Sequence, residues 1–383
     1  MCTYKTVSQI NQKLKKGNAV VLTAEEVSEL SKSKSYKEIA DTVDIVTTAT
    51  FGPMCSSGAF INFGHADPPI RMEEISLNDV PVYAGVAAVD AYIGATSESP
   101  DNPKYGGAHI IEALIKGEDI ELVAKAKGTD CYPNRSVKTT INKDLVNEFY
   151  LFNPRNAYQN YSVAVNSDNK TKYTYMGNLL PDLGNANYST SGELSPLLND
   201  PKMRTIGIGT RIFLCGTEGY VSWQGTQFNT SKAKNKYGVP IGNSATLAVI
   251  GDAKQMDSEY IKAAYYENYG VSIFIGIGIP IPILDEDMAK RVSIRNSQID
   301  ADIVDYGKID HPVLGRTNYK ELQSGKINLL GKEIKTAPLS SISKARKIAE
   351  ILKSNLKKGG FFLTEAVQTF PKNTITKPLN QEK

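Results

Sequence analysis

The chain has 383 residues, 41% of them apolar and 22% charged, which is the composition of a folded protein of one large domain or two medium ones. Lys and Arg number 44 and Asp and Glu 41, so the formal net charge is only +3, which speaks against a nucleic-acid binder with its gathered basic patches. No window reaches the ~18 apolar residues of a membrane span, and the first ten residues lack a signal-peptide core, so a soluble, cytoplasmic protein is expected.

Thr6 and Gln9 stand at capping-box spacing and predict a helix over 6–16, stopped by Gly17. Thr23 and Glu26 repeat the signal for a second helix through Leu30, and a short helix is expected over 36–43. Residues 44–49 read as a buried strand that runs into Phe51-Gly52-Pro53 and then the Cys55 loop. In that loop Gly52 and Gly58 permit close approach or positive φ. Ser56 and Ser57 offer donors for a nest or helix start that would favour a thiolate. The duller reading is that Cys55 is a small buried hydrophobe.

His65 follows in a rigid turn, as an acid or base or as a structural residue. Residues 80–93 contain a buried strand, and Ile110, Ile111, Leu114 and Ile115 mark a helix ended by Gly117. Residues 121–127 alternate as a strand should and deliver the chain to Cys131. Arg135 lies within a turn's reach of that cysteine, and a neighbouring cation lowers a thiol's pKa.

From 139 to 180 Tyr, Phe, Asn and Thr dominate and predict antiparallel strands, with 153–156 and 167–170 as turns. Gly207 and Gly209 precede Arg211, but Ile212 holds the third glycine position of a dinucleotide fingerprint, and no Walker A motif is present. Further on, Asp257 is expected to cap a helix over 258–268. The apolar run 271–284, broken by Gly276, Gly278, Pro280 and Pro282, reads as a buried strand and turn. A final amphipathic helix covers 342–356. The expectation is α+β: a single large mixed α/β domain over 1–371, strand-rich in the middle and helical at its termini, with 372–383 a disordered tail.

Cys2, Cys55, Cys131 and Cys215 are too far apart for paired zinc ligands, and no HExxH occurs, so no metal is expected. Nor do four scattered cysteines in a reducing compartment make a disulfide framework. Thiol chemistry is left, with two glycine-bearing loops supplying a nucleophile and a resolving partner.

Five stretches together sharpen this: 47–65 with its Phe-Gly-Pro-Met-Cys-Ser-Ser-Gly core, Gly106-Gly107-Ala108-His109, 128–133 around Cys131, 207–213 continuing to 223–227, and His311-Pro312-Val313. On these the chain resembles the homocysteine biosynthesis family, the L-aspartate semialdehyde sulfurtransferases, over nearly its whole length. The resemblance implies insertion of sulfide-level sulfur into L-aspartate semialdehyde to give L-homocysteine. Cys131 would carry a persulfide, supplied by sulfide or a persulfide donor, and Cys55 would form a disulfide with it. A ferredoxin-like protein would serve as external electron donor, with no bound cofactor. In this scheme disulfide formation supplies the electron pair, the reductant resets the site, and His65 or backbone amides stabilise the oxyanion. Arg135 and Arg211 are candidates for the substrate carboxylate, unless each is a structural ion-pair or surface residue. Cys215 is read as packing and Cys2 as incidental. Relatives with C-terminal nucleotide-binding modules extend beyond this chain, so no such regulation is expected; a homo-oligomer is left open. The alternative is a persulfide carrier that hands sulfur to another enzyme.

Overall fold

Both capping boxes form where the spacing places them. In the computed structural model, which describes residues 4–379, the hydroxyls of Thr6 and Thr23 accept from Gln9 and Glu26, whose side chains reach back to the cap amides. Helices Val7–Lys15, Ala24–Leu30 and Tyr36–Thr42 follow. Cys2 lies outside the described residues.

The helices flank a ten-stranded sheet. Its order is Val21–Thr23, Ile45–Pro53, Gly270–Pro282, Arg211–Leu214, Thr217–Gln224, Leu247–Asp252, Glu148–Asn156, Gly58–Asn62 and Asp90–Gly94, and Ile261–Tyr266 also pairs with Gly270–Pro282. Only the pairing of Val21–Thr23 with Ile45–Pro53 is parallel.

Gly270–Pro282 continues through the point where a turn was expected. It is thirteen residues long, and its last nine run beside Ile45–Pro53, with Pro280 opposite Thr47 and Pro282 opposite Ile45. The physical reason lies in which edge each N–H faces. Gly276 donates to Tyr260 O, away from Ile45–Pro53, so Pro280 and Pro282 in the same phase direct their missing N–H to that side too. There Arg211–Leu214 pairs only with Ile277 and Gly278, and no ladder bond is lost. The glycines answer to a helix: a Cβ on Gly278 would lie 3.1 Å from Ile348 and 3.2 Å from Leu352. Helix Ile342–Lys357 lays Ala345, Ile348, Ala349, Leu352 and Leu356 on this surface, all buried. Each large aliphatic side chain so covered contributes about 1.5–3 kcal/mol.

Two expectations are corrected. Residues 258–268 form no helix. Ile261–Tyr266 is a strand that turns at Asn268 (φ 51°) and Gly270 (φ 124°) and pairs back on 270–275. Its two central alanines favour a helix locally, and pairing with a buried strand overrides them. Likewise 153–156 is no turn but the end of the nine-residue strand Glu148–Asn156. Pro154 is tolerated because the register with Leu247–Asp252 shifts there, as at a bulge.

A second sheet of six strands, ordered Val313–Asn318, Asp300–Asp305, Val163–Val165, Asn185–Tyr188, Lys332–Pro338 and Lys326–Leu329, has its own core around Tyr188, Ile299, Ile303 and Tyr319. A four-stranded sheet, Val80–Val82, Glu74–Leu77, Ile120–Lys125 and Ser136–Ile141, lies beside the first. Together these make one mixed domain of the α+β class. Residues 371–379 carry no helix or strand, and Thr374 is hydrogen-bonded to Thr230.

Candidate active site

Cys55 sits in the four-residue connection between Ile45–Pro53 and Gly58–Asn62. The connection is a tight turn. Ser57 N–H donates to Met54 O at 3.0 Å, its hydroxyl to the same oxygen at 2.6 Å, and Met54 N–H to Ile273 O at 2.7 Å. No helix starts here, and neither Gly52 nor Gly58 has positive φ. The glycines are needed for approach: a Cβ on Gly58 would meet the Tyr92 hydroxyl at 2.2 Å, one on Gly52 the Ser340 hydroxyl at 2.6 Å.

The half-buried Cys55 faces a small solvent-open cleft of about 50 Å³ where the large sheet meets the second. The end of Glu148–Asn156 and the connector that follows it toward Val163–Val165 supply part of the wall. This stretch is held by buried amides. Asn153 donates to Ser57 Oγ at 2.8 Å, Gln159 to Leu197 O and Pro201 O, and Asn160 to Pro240 O and Asp300 O. Those bonds leave Arg155, Tyr158 and Tyr161 lining the cleft. Tyr266, Tyr269 and Ser272 close it from the Ile261–Pro282 hairpin, and Tyr175 from the small hairpin 172–179.

The electrostatics are unusual. Arg155 is the charged side chain of the lining and makes no ion pair among the described residues. Its Nε, the Tyr266 hydroxyl and the Ser272 hydroxyl are buried without a hydrogen-bond partner among those residues. Each such atom costs about 1–3 kcal/mol, so a fold that tolerates three around one cleft is arranged for a polar guest. Burial pushes the phenols up. Tyr158 and Tyr269 rise to about 12, with nearby Cys55 adding to the shift and Arg155 opposing it. Tyr161 and Tyr306 also lie well above the ordinary range, chiefly through burial. Neutral phenols are hydrogen-bond donors, and three form a chain: Tyr161 to Tyr175 at 2.9 Å and Tyr175 to Tyr306 at 2.6 Å. The Tyr306 ring stacks on exposed His311 at 4.6 Å.

The other sequence candidates lie elsewhere. Cys131 is exposed at the tip of the hairpin joining Ile120–Lys125 to Ser136–Ile141. The tip packs on the turn after Gly58–Asn62. His65 stacks on Tyr132 at 5.6 Å, and Asn134 donates to Pro68 O and Pro69 O. Cys55 and Cys131 therefore occupy opposite ends of Gly58–Asn62, which spans roughly 13 Å at about 3.3 Å per residue. Both thiols are free, and Cys131 does not line the cleft that holds Cys55. His65 belongs to the Cys131 tip. Arg135 is exposed and lies over Gly128 of the same tip. Arg211 bonds Glu218 at 3.2 Å and lies 6.0 Å from the Tyr220 ring. None of the three lines the Cys55 cleft. Cys215 is fully buried in a hairpin turn (φ 48°), and burial pushes its thiol up to about 12. His109 accepts from Gly106 N–H and starts a helix, while Gly207 lets residues 366–368 pack closely. Among the described residues no three His, Cys, Asp or Glu side chains gather as metal ligands do, and no helix is long and apolar enough to cross a membrane. Arg155 and the tyrosines escaped sequence reading; their one signal was the density of Tyr and Asn between 150 and 175.

Fold and cleft define the class: a mixed α/β enzyme with a thiol at the mouth of a cationic, phenol-lined cleft. Residues 19–363 match the family described as homocysteine biosynthesis enzyme, sulfur-incorporation, and the chain belongs to it. The resemblance carried by the five motifs is thereby borne out. The chain is 50% identical to the L-aspartate semialdehyde sulfurtransferase of Methanocaldococcus jannaschii, across 95% of its own length and 73% of that protein's. It is 45% identical to the protein of the same name from Methanosarcina acetivorans, across 98% and 74%. An uncharacterized protein of Methanothermobacter thermautotrophicus is 28% identical, across 84% and 72%. No solved structure matches the chain.

Proposed function

We propose that this protein incorporates sulfide-level sulfur into L-aspartate semialdehyde to form L-homocysteine, with Cys55 as the cleft thiol and Cys131 as the persulfide carrier. The observation that carries the reading is the Cys55 cleft, with its unpaired guanidinium and neutral phenols, in a chain half identical to a protein named for this reaction. Exposure of Cys131 at a hairpin tip suits a thiol that receives sulfur from outside.

The terminal sulfur of the Cys131 persulfide attacks the aldehyde carbon, and a phenol of the cleft protonates the resulting oxyanion. The Cys55 thiolate attacks the inner sulfur. The Cys55–Cys131 disulfide forms, and a hydroxy-thiolate leaves. Hydrosulfide reopens the disulfide to persulfide and free Cys55, so this cycle is redox-neutral. Loss of water from the hydroxy-thiol gives a thioaldehyde, and two electrons with two protons convert it to the thiol. The electron accounting thus differs from the scheme expected from the sequence: the disulfide step returns sulfane sulfur to sulfide level, and the external ferredoxin-like donor reduces the carbon.

The test is anaerobic turnover with aspartate semialdehyde, sulfide and a low-potential reductant, read as homocysteine, together with peptide mass mapping. Cys55→Ser and Cys131→Ser are each expected to lower formation by at least about a hundredfold, and added sulfur is expected on Cys131. Full turnover by Cys55→Ser would rule the sequence of steps out. Persulfide on Cys131 without homocysteine, even with reductant present, would instead favour the carrier reading.

A further inference from the structure

We infer that Arg155, Tyr266 and Ser272 form a carboxylate subsite beside Cys55, which anchors the acid end of a short substrate and leaves its other end at the thiol. This rests on the proposed function for the identity of the substrate, but the subsite follows from the cleft itself. Arg155 Nε, Tyr266 Oη and Ser272 Oγ are all buried, all line the cleft that holds Cys55, and all lack a partner among the described residues. Ser272 is 1% exposed. Every one of the three can donate a hydrogen bond, and among the described residues no Asp, Glu or His lines the cleft to accept one. A guest that only accepts, carries negative charge and offers two oxygens satisfies the set; a carboxylate does so with the bidentate geometry a guanidinium favours.

Another cationic cleft, around Lys202 and Arg204, makes the contrast. There Arg204 is already paired with Asp285 at 2.6 Å and Lys202 with Asp287 at 3.3 Å. Arg155 is held ready instead. Its own N–H donates to Asn153 Oδ1 at 2.8 Å, and Asn153 is in turn tied to the Cys55 turn through Ser57. The backbone at Arg155 and the turn that carries Cys55 are therefore tied through Asn153 by two hydrogen bonds, one of them buried.

Alkylation tests this without turnover. Iodoacetate carries the carboxylate and iodoacetamide does not, so the ratio of their rates at Cys55 reads the subsite, while the ratio at exposed Cys131 is an internal control. In the whole protein, Arg155→Met is expected to lower the iodoacetate-to-iodoacetamide ratio at Cys55 by about tenfold, with Arg155→Lys in between and Cys131 unchanged. Succinate is expected to protect Cys55 in the wild type and not in Arg155→Met. Ser272→Ala and Tyr266→Phe delete one hydroxyl each, keep the framework and are expected to lower the ratio about threefold, which covers the case in which Arg155→Met does not fold. A Cys55 ratio equal to that at Cys131, or unmoved by any of these changes, overturns the subsite. Such a result leaves sulfur transfer standing. A lowered ratio with no homocysteine formed keeps the subsite and removes the proposed reaction.

Discussion

Asp44 shows how one side chain closes the N-terminal layer. It is 1% exposed and accepts from Lys13 at 2.7 Å, Lys5 at 3.1 Å and the Val20 amide at 3.0 Å. Burial alone would raise its carboxyl, but these partners outweigh burial and hold it below the ordinary value. A carboxyl depressed in the folded state contributes stability that is fully present above the unfolded pKa, about 3.9. That stability is lost as pH falls through the folded value. Asp44→Asn removes the charge and leaves Lys5 without its anion. It is expected to cost roughly 2–4 kcal/mol near neutral pH. It is also expected to flatten the acid side of the stability curve below about pH 4. Urea midpoints between about pH 2.5 and 7, roughly four and a half decades of acidity, read both effects. Parallel wild-type and variant curves would show that Asp44 carries no linked proton.

At the scale of elements the tyrosine chain is the feature with a functional consequence. Tyr161, Tyr175 and Tyr306 have three protons and make two mutual bonds, so one O–H is left to point outward. When that proton is donated into the cleft from Tyr161, the two bonds behind it polarise the donor. Tyr175→Phe removes the middle hydroxyl and leaves both neighbours unpaired. Steady-state homocysteine formation is expected to lose about tenfold in kcat with KM changed less than about twofold. A rise in KM alone would make Tyr175 a wall of the cleft and no more. What could be read from sequence divides along the same line. The capping boxes at Thr6 and Thr23, the glycine stop at Gly117 and the stripe on Ile342–Lys357 are local signals, and each forms as expected. Residues 258–268 misled because their alanines speak for a helix, while the deciding partner is the strand beyond Asn268. Cys55 was singled out from its loop, though no helix starts there and neither flanking glycine has positive φ. Arg155 was not, because what sets it apart is a missing partner, and absence of a bond belongs to three-dimensional packing alone.

The whole molecule places a constraint on the proposed chemistry. Cys131 and Cys55 stand at opposite ends of Gly58–Asn62, whereas a disulfide needs Cα atoms about 4.4–6.8 Å apart. The hairpin that carries Cys131 is poorly placed to swing. Ile120–Lys125 and Ser136–Ile141 pair along six residues, Glu74–Leu77 pairs with the first of them, and Asn134 is tied to Pro68 and Pro69. Moving the tip to the cleft of its own chain would break those ladders. A second copy can present an intact tip to the cleft, because both features are open at the surface and an isologous contact would engage two sites at once. If the thiols meet in this way, equal amounts of Cys55→Ser and Cys131→Ser chains, unfolded and refolded together, should recover about a quarter of wild-type turnover. Half of the dimers would then be mixed, each with one complete site. Recovery would place the Cys55–Cys131 disulfide between chains, visible as a non-reducing dimer band in the wild type after sulfide and aspartate semialdehyde. An inactive mixture in which mass spectrometry finds mixed dimers would show that the hairpin unzips within its own chain. In that case hydrogen exchange in Ile120–Lys125 should rise when sulfide is added.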